Sequence, residues 1–268
     1  MRNGRWVLAV GLALIAGSAV WLFATGHTGI RYSADHDRTQ PLWWRWVPVA
    51  IGLLLTRLIP PRLDRPPLEV DRRGAYLLAG AAAAFAVLLV AFGGGEPAHS
   101  VLKLLLLLAL PLIAFRVWKS KIVPAPGPVL VPVVAVAAWL VVSYVGPVSV
   151  LTPFETDLQM AELLIVVAVA FLANSVLEEF FYRRWLQTRW EALIGPWPAI
   201  VLSSVLWACW HVGIQGTGDL SVDLPSALVN QGVQGLFLGY LWSRYRRMWP
   251  LIVVHGAVNT ASIIVWAL

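Results

Sequence analysis

Charge is scarce in this sequence. Asp, Glu, Lys and Arg make up 13% of its 268 residues, about half the roughly 25% usual in soluble domains. Hydrophobic residues make up 59%. So few charged groups cannot coat a water-soluble fold of this size, and so apolar a chain is not a disordered one. Cysteine is almost absent. Cys209 stands alone, which excludes a disulfide scaffold and leaves the redox compartment unread. Acidic residues number 14 against 20 basic ones, a net charge of +6. In a soluble protein that excess would suggest nucleic acid. Here the basic residues fall between apolar runs, as membrane-flanking anchors do, so no nucleic-acid partner is expected. No internal repeat, low-complexity tract or soluble domain is present.

What is present is a series of apolar runs. A bilayer core about 30 Å thick takes roughly 20 apolar residues per helix. Nine runs qualify: 6–24, 42–59, 74–92, 100–118, 128–147, 159–180, 197–214, 225–243 and 249–267. The predicted class is all-α, a polytopic membrane helix bundle of about nine spans. It would be an integral, multi-pass protein, in the cell membrane if the cell is prokaryotic. The first run follows Arg2 and Arg5 and is 19 residues long, longer than a signal-peptide core, so it reads as a retained helix. Loops 57–73, 116–127 and 244–248 and the stretch 181–196 carry Lys or Arg, whereas 93–99, 148–158 and 215–224 carry none; only loop 25–41 blurs this, with Arg31 and Arg38 offset by Asp35 and Asp37. That alternation fits nine spans with a cytoplasmic N-terminus and an outside C-terminus. Many of the 15 Trp residues sit at run ends, as interfacial belt residues do. The acidic loop 148–158 divides an accessory region, 1–150, with about five spans, from a region 151–268 with about four.

The chemistry concentrates in the second region. An ionisable side chain at membrane depth is costly and is a functional hypothesis by default. Spans one to five are nearly free of such groups away from their ends. Later spans carry Glu178 and Glu179 in LEEFFYR, His211 in WACWH, and His255 with Asn259 in HGAVN. On a helix, i and i+4 share a face, so Glu179 pairs with Arg183 and is neutralised. Glu178 points about 100° away, has Tyr182 at its own i+4 position and Asn174 one turn back, and is left free. Singly, each motif has a plainer reading: an interfacial Glu–Arg pair, a hydrogen-bonded packing histidine, a chance H-x-x-x-N. As a set on three apolar helices they supply a general base, an acid and oxyanion donors, the parts needed to hydrolyse an amide.

E-E-x-x-x-R (Glu178, Glu179, Arg183), aromatic-x-x-x-H (Trp207, His211) and H-x-x-x-N (His255, Asn259) resemble, in order and spacing, the three motifs of the CAAX-processing and bacteriocin-processing (CPBP) family. This family of intramembrane endopeptidases includes Rce1-type CAAX prenyl proteases and Abi-type proteins. The likeness covers roughly 168–266. Trp207 stands where Phe is commoner and keeps an aromatic ring one turn from His211.

The resemblance implies a glutamate-dependent protease of the CAAX prenyl protease 2 type. Glu178 would activate water, His211 would position it, and His255 and Asn259 would stabilise the oxyanion. Glu179, Arg183 and Trp207 would support the site. The substrate would be a protein or peptide in or at the lipid bilayer. Metal-free catalysis is favoured; the rival is zinc held by Glu178, His211 and His255, a known two-His, one-Glu set. Two other classes of function stay open: a transporter using the buried Glu and His groups, and a non-enzymatic immunity or scaffold protein. Asn230, Gln231 and Gln234 in span eight would line a wet cavity or bond neighbouring helices. Residues 183–194 read as an interfacial helix ended by Gly195-Pro196. The site is expected in the cytoplasmic half of the membrane. One tension is that Glu178 lies near the end of its span whereas His211 lies about 14 residues into its own.

Overall fold

A computed structural model describes residues 2–32, 38–59, 68–120 and 124–267. Asp35, Asp37, Arg62, Arg65 and Lys121, which entered the loop-charge pattern, lie outside the described residues. Each of the nine apolar runs holds a helix: α1 (Arg2–Ala24), α2 (Trp46–Leu58), α3 (Arg72–Ala91), α4 (Ala98–Trp118), α5 (Val133–Tyr144), α6 (Met160–Ile194), α7 (Pro196–Gln215), α8 (220–245) and α9 (Met248–Ala267). Six of them, α1, α3, α4, α6, α7 and α9, are long and apolar enough to cross a membrane, while α2 and α5 are shorter. The described strands are β1 (Gly29–Arg31) and β2 (Thr39–Pro41), an antiparallel hairpin. The protein is an all-α, integral, multi-pass membrane bundle.

Local sequence sets the helix ends. Asp71 caps α3 by accepting the Gly74 N–H at 2.8 Å. Gln159 and Glu162 form a reciprocal capping box at the start of α6, satisfying two otherwise orphan N–H groups. Gly195, at φ +89°, ends α6, and Pro196 opens α7; that backbone conformation favours glycine.

The stretch 183–194 is not an interfacial helix. α6 runs for 35 residues, and Arg183, Gln187, Thr188, Arg189 and Glu191 are all buried in the bundle. Their polar groups find partners on neighbouring helices rather than in a headgroup layer. Gln187 donates to the Gly239 carbonyl at 2.8 Å, and Glu191 is paired with Arg246. A close helix contact follows the small residues of α8. A Cβ at Gly235 would lie 2.9 Å from Ser204 of α7, and one at Gly239 would lie 2.9 Å from Ile200. The G-x-x-x-G spacing therefore serves close packing of α7 on α8.

Alternate loops gather at opposite ends. At one end Asp71, Ser120 and Arg189 are joined, and Arg247 donates to the Gly127 carbonyl. At the other, the Trp21 indole donates to the Ser221 carbonyl, and the Thr152 N–H donates to the Ser262 hydroxyl. This is the up-and-down threading the loop charges implied.

Asp71 staples three helices together. It accepts from Arg189 Nε at 2.8 Å and from the Ser120 hydroxyl at 2.6 Å. Burial pushes its carboxyl up, but hydrogen bonds from Ser120, Arg189 and the Gly74 N–H outweigh burial and hold it below its ordinary value. A carboxyl depressed in the folded state stabilises above its unfolded pKa, and that stabilisation fades as pH falls through the folded value. Asp71→Ala removes the cap and leaves the buried Arg189 unpaired, so it should cost on the order of 3 kcal/mol at neutral pH. Thermal unfolding in detergent should show the gap to wild type closing as pH drops below about 4. A pH-independent gap would assign the loss to packing instead.

Candidate active site

The length of α6 resolves the mismatch in level. Glu178 lies 17 residues before Gly195, and His211 lies 16 after it. In a helical hairpin with 1.5 Å rise per residue, both therefore stand roughly 25 Å from the turn. Glu178 is at the middle of α6, not at its end. Two stretches of wider, i→i+5 hydrogen bonding, Phe171–Val176 and Phe180–Gln187, flank the carboxylate pair. Such widenings are rare and are frequent at functional sites.

Glu178 and Glu179 are 1% and 0% exposed. Glu178 is not free. Its Oε1 accepts from Lys103 Nζ at 2.8 Å, and its Oε2 accepts from the Trp207 indole N–H at 2.7 Å. Lys103, on α4, also donates to Asn174 Oδ1 at 2.7 Å. This ion pair is the main departure from the sequence reading, which took the early spans to lack internal charge. Lys103 sits near the start of its apolar run and there reads as an anchor. Only the packing of α4 on α6 turns it inward. Trp207 is likewise more than a ring: a phenylalanine could not give the indole hydrogen bond.

Glu179 does face Arg183, with Oε2 3.6 Å from Arg183 Nε, but neither atom has a hydrogen-bond partner. Its Oε1 contacts His255 Nδ1 at 2.8 Å. A carboxylate only accepts, so this nitrogen donates. His255 Nε2 then lies 4.0 Å from Glu178 Oε2. One histidine thus bridges the two carboxylates. The His211 Nδ1 meets the Trp207 carbonyl at 2.9 Å. A carbonyl also only accepts, so Nε2 of a neutral His211 is a bare acceptor. The Trp207 ring is edge-on to both histidines, at 5.1 Å from His211 and 5.2 Å from His255. Arg183 stacks over the same ring at 5.0 Å. Asn259 Nδ2 donates to the Ser175 hydroxyl at 2.9 Å, which fixes the amide and leaves a second N–H.

Glu178, Trp207, His211, His255 and Asn259 line one cavity of about 250 Å³. Phe154, Leu158, Tyr32 and Gln215 line it as well. These come from the end where loops 148–158 and 215–224 lie, opposite the basic loops. His99, to which the sequence reading assigned nothing, also lines the cavity and stacks on Trp210 at 5.6 Å.

The side chains as arranged form no metal set. Among the described residues no three His, Cys, Asp or Glu side chains gather as ligands. Glu178 presents its oxygens to an ammonium and an indole N–H, and a bound ammonium opposes a second cation on the same carboxylate.

Fold and site together define a multi-pass membrane protein with a Glu–His–Asn centre buried among its helices. Residues 160–261 match the family model described as Type II CAAX prenyl endopeptidase Rce1-like. The match covers 102 of the 268 residues, so it shows that this segment is similar to the Rce1-like family. No curated protein and no solved structure matches the chain. Lys103 lies outside the matched segment.

The buried pair can be tested by stability. Lys103→Met strands a carboxylate in an apolar interior and should cost about 3–5 kcal/mol. Glu178→Gln keeps an acceptor for Lys103 and should cost less. In thermal unfolding, the double variant should lose about 1–3 kcal/mol less than the two single losses added together. Strict additivity would mean that the two groups are not coupled.

Proposed function

We propose that the protein is an intramembrane endopeptidase that hydrolyses a peptide bond of a membrane-associated protein or peptide in the Glu178 cavity. The supporting observation is that a carboxylate, two imidazoles and a carboxamide line one cavity of an apolar bundle. Glu178 takes a proton from water at Oε2, with His211 Nε2 accepting the water's other hydrogen bond. The hydroxide adds to the scissile carbonyl carbon, and its π electrons move to oxygen. The oxyanion is met by the Asn259 amide N–H and, when the ring is protonated, by His255 Nε2–H. The C–N bond then breaks as Glu178 returns the proton to the leaving amine. Donors aimed at developing charge in a water-poor site contribute most to such a reaction.

In this reading Glu179 is a positioning residue. It holds His255 Nδ1, which leaves Nε2 turned to the reacting centre, and Arg183 balances its charge. Trp207 fixes Glu178 Oε2 and packs against both histidines. The region 151–268 would be the catalytic core, with α4 of the region 1–150 contributing Lys103.

Glu178→Gln keeps the shape and removes the base, so turnover should fall by about 10²–10⁴ with the protein still folded. Asn259→Ala removes one oxyanion donor and should cost about 10²–10³. Two groups acting on one transition state are not additive, so the double variant should lose less than the product of the two. Cleavage is read by mass spectrometry of a prenylated peptide incubated with protein in micelles. Undiminished cleavage by Glu178→Gln would sink the assignment of the base.

We propose further that catalysis needs no metal, on the ground of the ammonium held by Glu178. A membrane-permeant chelator should leave the wild type active. Full inhibition reversed by added zinc would make Glu178, His211 and His255 ligands and overturn the mechanism.

A further inference from the structure

Arg45, at the entrance to α2, is 3% exposed. Its backbone N–H donates to the Tyr32 hydroxyl at 3.0 Å, and its guanidinium lies 4.9 Å from the centre of the Tyr32 ring. Its Nε donates to Asn230 Oδ1 at 3.2 Å. Its Nη1 is buried without a protein hydrogen-bond partner. The other buried cations among the described residues are matched: Lys103 by Glu178, Arg183 by Glu179, Arg189 by Asp71 and Arg246 by Glu191. Among the described residues no carboxylate is ion-paired with Arg45. A buried charge without a counter-charge is among the costliest arrangements a fold can hold.

The position of Arg45 suggests a use for it. Arg45 lines the Glu178 cavity and also borders a second cavity of about 270 Å³, so it stands on the wall between them. Asn230 and Gln234 of α8 line the first cavity beside it. Gln234 is 2% exposed, and neither its Nε2 nor its Oε1 has a protein partner. A guanidinium fork and a carboxamide N–H, both facing one space, match the two oxygens of a carboxylate. One cation and two neutral amides suit a monoanion; a dianionic phosphate would leave a negative charge uncompensated in an apolar bundle.

We infer that Arg45, held by Asn230 and assisted by Gln234, is a subsite that takes a carboxylate of the bound peptide beside the Glu178 centre. The inference rests on the peptidase reading for the identity of its ligand, not for its geometry. The carboxylate has two possible sources, the chain terminus or an Asp or Glu side chain.

The test measures binding rather than turnover, on full-length Glu178→Gln protein in micelles. Three fluorescent farnesyl-cysteine peptides serve as probes: a C-terminal acid, its C-terminal amide, and that amide with its last residue replaced by Glu. At least one carboxylate-bearing peptide should bind about tenfold or more tighter than the carboxylate-free amide. Advantage of the acid alone assigns the terminus; advantage of the Glu-bearing amide assigns a side chain. Arg45→Met should abolish that advantage without weakening the plain amide. Gln234→Leu, which breaks no protein hydrogen bond, should reduce it at least threefold, and it reports even if Arg45→Met does not fold. Equal binding of all three peptides, no binding by any of them, or an advantage that survives both substitutions would overturn the subsite. Carboxylate-selective binding by a wild type that cleaves nothing would keep the subsite and remove the peptidase. Cleavage indifferent to Arg45 would do the reverse.

Discussion

The structure depends on keeping charge neutral inside an apolar bundle. An ion taken out of water loses several kcal/mol of solvation, which only an excellent pairing recovers. Arg45 apart, the buried cations of the described interior meet that condition, chiefly through pairs formed between distant parts of the chain. Lys103 meets Glu178 across 75 residues, and Asp71 meets Arg189 across 118. These pairs do more than neutralise. Each ties two helices at a fixed height and rotation, so the condition that makes the charges tolerable also sets the register of the helices.

The candidate centre sits where two such pairs lie side by side. Glu178 with Lys103 and Glu179 with Arg183 occupy adjacent positions on α6, and His255 reaches both carboxylates. Successive residues on a helix point about 100° apart, so the two carboxylates meet different cations. Trp207 joins the arrangement, since one side chain hydrogen-bonds Glu178, packs against both histidines and carries Arg183 on its face. Each group is held by a second one, as a site requiring fixed geometry demands.

The sequence reading went furthest where the physics is local or periodic. Among the described residues each apolar run holds a helix, six of them long and apolar enough to cross a membrane; loop charge gave the threading, and the i,i+4 rule gave the Glu179–Arg183 contact. Gly195-Pro196 marked the turn between α6 and α7. That turn also held the answer to the level of the site, because Glu178 and His211 are nearly equidistant from it. The polar residues 183–194 obscured this. They look interfacial in isolation and are buried only because Asp71, Gly239 and Arg246 meet them.

The sequence by itself determined the class, the placing of a helix in each apolar run and the residue types of the centre, because hydrophobic length and short-range spacing need no knowledge of neighbours. Tertiary structure alone decided which charges face each other. Lys103 and Arg45 lie at the starts of apolar stretches, where a basic residue has the same local signature whether it anchors at a headgroup or turns into the core. The rotation of a helix about its axis settles between those fates, and that rotation is fixed by partners 71 to 185 residues away.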